Sequence, residues 1–154
     1  MKIANILSIL LGTVLILIAA QWIFIPQTAA ESLGMTFLDG DGRNTQIRDF
    51  TALFLATSLM CYISFFTKQY QWISCAGLVY LLAAIFNVLA TNHDAPIAFS
   101  SLVSEIIFAS MAFISAILYK SNDYKQLTKL SISSSGIFLV LPTSVPTYKY
   151  PSIS

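Results

Sequence analysis

Charge is what this chain has least of. Of its 154 residues, 8 are Lys or Arg and 7 are Asp or Glu, together 10 %, where a soluble domain carries about a quarter. That shortage excludes an ordinary soluble fold. A formal net charge of +1 excludes an extended basic surface, so no nucleic-acid partner is expected. Histidine is nearly absent, with His93 alone. The two cysteines are expected near the opposite membrane face from His93, which leaves no zinc set, and no metal or other cofactor is implied.

What is abundant is apolar: 56 % of residues are hydrophobic and mean hydropathy is +0.76. The apolar residues fall into four runs, at about 3–25, 46–67, 69–91 and 96–119, each close to the roughly 20 residues a helix needs to cross a bilayer. All four are read as helices, because unpaired backbone cannot face lipid. The fold class is therefore an all-α integral membrane four-helix bundle, with residues 120–154 as a polar tail that is disordered or interfacial. In the tail, Ile137 to Leu141 is far too short to span, and Lys125 and Lys129 stand at an i,i+4 spacing suited to anionic headgroups if 122–130 is helical. Four spans leave one loop and this tail, so any chemistry is expected inside the bundle.

A cleaved signal peptide competes for the first run, because Lys2 precedes it and Ala19-Ala20 offers small residues. A signal h-region is only about 7–15 residues long, however, and this run is longer. Orientation follows from the basic residues. Lys2, Lys68, Lys120, Lys125, Lys129 and Lys149 fall on one side and only Arg43 and Arg48 on the other, so both termini are expected in the cytoplasm and the protein in the inner (cytoplasmic) membrane. The loop 27–49 and the turn Asn92-His93-Asp94-Ala95 then face outward, the turn being read as solvated.

Asp39-Gly40-Asp41-Gly42-Arg43-Asn44 has the look of a calcium loop. Counting from Asp39 puts Arg43 at position five and Phe50 at position twelve, where oxygen ligands are required, so the glycines are assigned to a turn into the second span. Cys61 and Cys75 each lie seven residues from Lys68 and so at similar depth, about 10 Å in. They are read as small buried hydrophobes rather than as a redox pair.

Glu105 interrupts the uncharged run 95–119. A charged carboxyl at such depth costs about 2.5–3.5 kcal/mol on translocon scales. At 100° per residue Ser101, Ala109, Ala112 and Ala116 share its face, and Val103, Ile107, Ile114 and Leu118 oppose it. Small residues mark the packed side, so Glu105 is expected to point inward. In the third span Ala76, Tyr80, Ala83, Asn87 and Thr91 share a face. Glu105 lies about 12 Å and Asn87 about 7–8 Å below the outer edge, close enough to hydrogen-bond. Arg48 can reach Glu105 only if the second helix starts near Asn44.

The candidate polar cluster is therefore Glu105, Asn87 and Arg48, around a modest cavity toward the outer leaflet, with a purely structural, register-fixing role for Glu105 as the competing reading. The leading functional expectation is binding of a small apolar or amphipathic ligand, or service as a subunit of a membrane assembly with a partner membrane protein or a homo-oligomer. A proton-coupled small carrier is an alternative, and no residue set specifies catalysis.

The first span ending in Pro26, Leu33-Gly34, the Asp41-Gly42-Arg43-Asn44 turn before Ile47-Arg48, and the acidic residue in the fourth span together resemble a group of small bacterial four-helix membrane proteins. That group is a domain-of-unknown-function family similar in organisation to DoxX-like proteins. The resemblance covers about residues 3–119 and implies the four-helix architecture. Through the DoxX-like link it also implies a second alternative, a quinone or thiol oxidoreductase subunit.

Overall fold

The computed structural model describes residues 1–138. Over that range the chain is helical, with no strand among the described residues: α1 (Lys2–Phe24), α2 (Pro26–Ser32), α3 (Gly40–Thr67), α4 (Tyr70–Leu89) and α5 (Phe99–Phe138), α4 being extended by a 3-10 turn over Ala90–His93. Lys2–Phe24, Gly40–Thr67, Tyr70–His93 and Phe99–Thr128 are each long and apolar enough to cross a membrane. The chain divides into two units, 1–122 and 123–154. The first is the four-helix bundle with α2, and the described part of the second is the C-terminal portion of α5. Of the tail 120–154 expected to be disordered or interfacial, 120–138 is helix, and 139–154 lies outside the described residues.

Local chemistry sets the ends of these helices. Ile25 breaks α1 with φ −139° and ψ 59°, and Pro26 restarts the chain at the first position of α2, where its missing N–H costs nothing. Asp39 caps α3 in extended conformation, Gly40 takes φ +56°, and Asp41 lies in the first turn, complementing the helix dipole. The polar Asp39–Asn44 segment is thus the opening of α3, which begins before the apolar run does. At the other end Lys68 adopts φ +61° and donates its N–H to Ser64 O at 2.8 Å, while Ser64 Oγ donates to Gln69 O at 2.8 Å. With only Lys68 and Gln69 between them, α3 and α4 must lie side by side and antiparallel.

The buried stripe of α1 is Ala4, Ser8, Leu11, Leu15, Ala19 and Trp22, at the three- and four-residue spacing of one helical face. Its opposite side exposes Ile3, Ile6, Leu10 and Leu17. α3 buries Gln46, Thr57, Ser58, Cys61 and Ser64, and α5 buries Ala109, Ala112, Ser115 and Ala116 while exposing Val103, Ile107 and Ile114. Leu118 is half-buried against the core rather than fully outward. Small and hydroxylic residues inside with bulky aliphatics outside invert the pattern of a water-soluble bundle. Helices in lipid associate this way, through close backbone approach and interhelical hydrogen bonds.

The hydrogen bonds fix the direction of each helix. Ser8 Oγ donates to Cys61 O and Ser58 Oγ to Gly12 O, both at 2.7 Å. This reciprocal pair holds α1 antiparallel to α3. Ser115 Oγ donates to Ala4 O at 3.0 Å, and Tyr119 Oη and Lys68 Nζ both donate to Asn5 Oδ1 at 3.0 Å. The start of α1, the end of α3 and the Ser115–Tyr119 stretch of α5 therefore share one end of the bundle. Gly77 lets α4 and α5 approach closely, since a Cβ there would stand 2.9 Å from Ala112 Cβ.

Candidate functional site

Toward the opposite end of the bundle the helices line a cavity of about 350 Å³. Its walls come from every long helix: Ile18 of α1, Phe50 and Phe54 of α3, Tyr80, Ala83 and Asn87 of α4, and Ser101, Ser104, Glu105 and Phe108 of α5, with Leu33, Met35 and Ala98 from the connections. Each wall residue is placed by its helix's inward stripe. Glu105 lies six residues into α5, about 9 Å along its axis, on the face that continues into Ala109, Ala112 and Ala116.

Asn87 organises the polar edge. Its Oδ1 accepts from Ala98 N–H at 3.1 Å and its Nδ2 donates to Ala98 O at 3.2 Å. The side-chain amide thereby pairs with the peptide just before α5 as one backbone strand would with another. The remaining Nδ2 hydrogen is directed to Glu105 Oε2 at 3.5 Å, the long limit of a hydrogen bond. Glu105 Oε1 accepts no hydrogen bond among the described residues.

The other hydroxyls of the cavity are committed elsewhere. Ser101 Oγ donates to Leu33 O at 3.1 Å, Ser104 Oγ donates to Ser100 O at 3.0 Å, and Tyr80 Oη shares a 2.7 Å hydrogen bond with Thr57 Oγ1. Aromatic rings form much of the apolar wall, with Trp22 behind them. Phe54 and Tyr80 stack at 6.5 Å, Phe108 meets Tyr80 edge-on at 5.3 Å, and Phe50 joins Phe54 at 6.4 Å and the fully buried Trp22 at 4.8 Å. Trp22 Nε1 has no hydrogen-bond partner among the described residues.

The structure brings Glu105 and Asn87 together and leaves Arg48 outside. α3 begins early enough for Arg48 to have reached inward, but rotation rather than length decides. Arg48 lies about 200° round the helix from the buried Gln46, and its exposed Nε donates to Asp49 Oδ1 at 2.8 Å. Gln46 does the local work instead. Its Oε1 accepts from Leu38 N–H at 3.1 Å and its Nε2 donates to Thr36 O at 3.1 Å, holding the loop whose Leu33 and Met35 roof the cavity. The only sequence signal for Gln46 is a polar residue in helical register with Phe50 and Phe54, a depth-independent cue.

The remaining candidates sit apart. Arg43 pairs with Asp39, donates from Nε to Leu38 O at 3.0 Å and covers the Phe37 ring at 4.9 Å. Cys61 is buried beside Gly12 and Cys75 is exposed, both as free thiols, so the two lie on different faces of their helices. His93 and Asp94 are exposed at the end of the 3-10 turn.

A cavity of this size, apolar on most of its wall and carrying one carboxyl group short of partners, has the composition of a small-molecule site. Comparison of the chain with protein-family models, with curated proteins and with solved structures finds no match.

Proposed function

We propose that this chain is a multi-pass protein of the cytoplasmic membrane that binds a small amphipathic molecule in the cavity holding Glu105. Both termini are assigned to the cytoplasm. Lys2, Lys68 and Lys120 belong to the end of the bundle where α1 starts, whereas Arg43 and Arg48 belong to the cavity end, an asymmetry that supports this orientation. The cavity then opens toward the outer leaflet.

The observation that carries the reading is the joint geometry of the cavity: about 350 Å³ of mostly apolar space with Glu105 Oε1 unpartnered at its edge. A carboxyl group kept solely to fix helix register would have its oxygens committed to neighbouring helices. Here a single long bond joins it to Asn87, whose principal bonds go to Ala98. Binding is favoured over the thiol-oxidoreductase reading by the separate faces of Cys61 and Cys75.

Native mass spectrometry of the purified protein tests the proposal, comparing wild type with Glu105→Gln. A discrete small molecule retained by wild type and lost from an equally stable variant is the expected result. Bare protein in both cases, with a lower melting temperature for the variant, would assign Glu105 a structural role instead.

A further inference from the structure

We infer that the cavity selects a lipophilic cation: a protonated amine or similar positive group carried on an aromatic or alicyclic body. This inference rests on the reading of the cavity as a ligand site and adds the ligand's charge and shape. The first ground is a mismatch of hydrogen-bond capacity at the cavity edge. The side-chain donors of Ser101, Ser104 and Asn87 there are already in use, since Ser101 donates to Leu33 O, Ser104 to Ser100 O, and Asn87 to Ala98 O and Glu105. The acceptor Glu105 Oε1 is left over, so the ligand has to bring the donor.

The second ground is charge. The ion pairs among the described residues are Arg43–Asp39 and Arg48–Asp49, both on the loop and the first turns of α3. Lys68 is held by Asn5 and the Phe65 ring, and Lys120 lies 5.5 Å from the Tyr70 ring, at the other end of the bundle. Among the described residues no cation answers Glu105. A carboxylate left without a counter-ion in apolar surroundings is costly, and a cationic ligand would remove that cost on binding.

The third ground is the wall. Phe54, Tyr80 and Phe108 present rings around the same space, and aromatic faces attract cations within about 6 Å of their centroids, most strongly where water is excluded. A fatty acid or another anion would place like charge on Glu105 and is selected against. The cavity volume, near the lower end of the range of small-molecule sites, fits a compact ring system better than a two-chain lipid.

The test measures equilibrium binding of three fluorescent probes of the same naphthylalkyl skeleton, ending in an amine, an alcohol or a carboxylate. The protein is held in nanodiscs of zwitterionic lipid, and empty nanodiscs supply the background of membrane partitioning. The inference predicts that the amine binds wild type at least tenfold more tightly than the alcohol, and the carboxylate most weakly. Glu105→Asp keeps that order, and Glu105→Gln reduces the amine to the affinity of the alcohol.

Equal affinity of amine and alcohol for wild type, both lost in the cavity-filling Ala83→Phe, would overturn the cation inference while leaving the ligand site standing. Absence of binding by all three above background would overturn both. An amine preference unchanged in Glu105→Gln would also refute the inference, by placing the cation elsewhere. The ranking on wild type is decisive even if a variant fails to fold.

Discussion

Gly77→Ala puts a methyl group where the contact between α4 and α5 has no room for one. The new Cβ would stand 2.9 Å from Ala112 Cβ and 3.4 Å from the Phe113 ring. Both obstacles are stiff, one being a methyl fixed to the α5 backbone and the other a partly buried ring. Overpacking of this kind costs about 1–3 kcal/mol, against which replacing glycine inside a helix returns about 1 kcal/mol. The net loss expected is about 1 kcal/mol, with an upper bound of about 2 kcal/mol.

The sharper quantity is the coupling with Ala112→Gly, because the clash exists only when both methyls are present. The double variant moves the methyl across the contact, so it should be more stable than the sum of the single changes by about 1–3 kcal/mol. Equilibrium unfolding in mixed micelles of increasing denaturing-detergent fraction, followed by circular dichroism, measures all four corners. Gly77→Ala as stable as wild type, together with zero coupling, would refute the close approach of the two helices.

Three further outcomes follow from the same geometry. Asn87→Ala removes both bonds to Ala98, whose C=O still accepts from Leu102 N–H while its own N–H loses its partner, so it should destabilise by about 0.5–1.5 kcal/mol in the same titration; an unchanged midpoint would show that the pairing contributes nothing. Ser8→Ala and Ser58→Ala each delete one of the reciprocal bonds between α1 and α3 and should cost about 0.5–1.5 kcal/mol apiece, whereas Arg48→Ala should leave both stability and probe binding unchanged. Maleimide treatment of the native protein in detergent should give one adduct, on Cys75, with Cys61 reacting only after unfolding, and two adducts on the native protein would contradict the burial of Cys61 beside Gly12.

The long helices are legible in the sequence because apolar runs of membrane length have few other uses. The rotation of α5 is legible too, since Ala109, Ala112 and Ala116 follow Glu105 at helical spacing and Val103, Ile107 and Ile114 oppose it. Asn87 and Glu105 meet because depth and face agree for both. Arg48 shows what depth alone omits: it has the right height and the wrong azimuth, and its neighbour Asp49 offers an easier partner. α2 carries no hydropathy signal, being seven residues of mixed polarity, and the opening of α3 at Gly40 is polar. Neither could be drawn from apolar runs. The Ser8–Cys61 and Ser58–Gly12 bonds depend on residues 53 and 46 apart in sequence, a pairing that only the packed helices create. The helix at the start of the tail, and the work done by Gln46, likewise come from three-dimensional context.

Photoaffinity labelling tests the ligand site most directly. The wild-type protein in nanodiscs would be irradiated with a small diazirine-bearing arylalkylamine, and the modified residues located by peptide mass spectrometry. Labels concentrated on Phe54, Tyr80, Glu105 and Phe108, and competed away by the parent amine, are the predicted result. Labels spread over the outward aliphatic faces, at Leu10, Leu17, Ile107 and Ile114, and indifferent to competitor would contradict it, leaving the cavity as packing space and Glu105 as a structural residue.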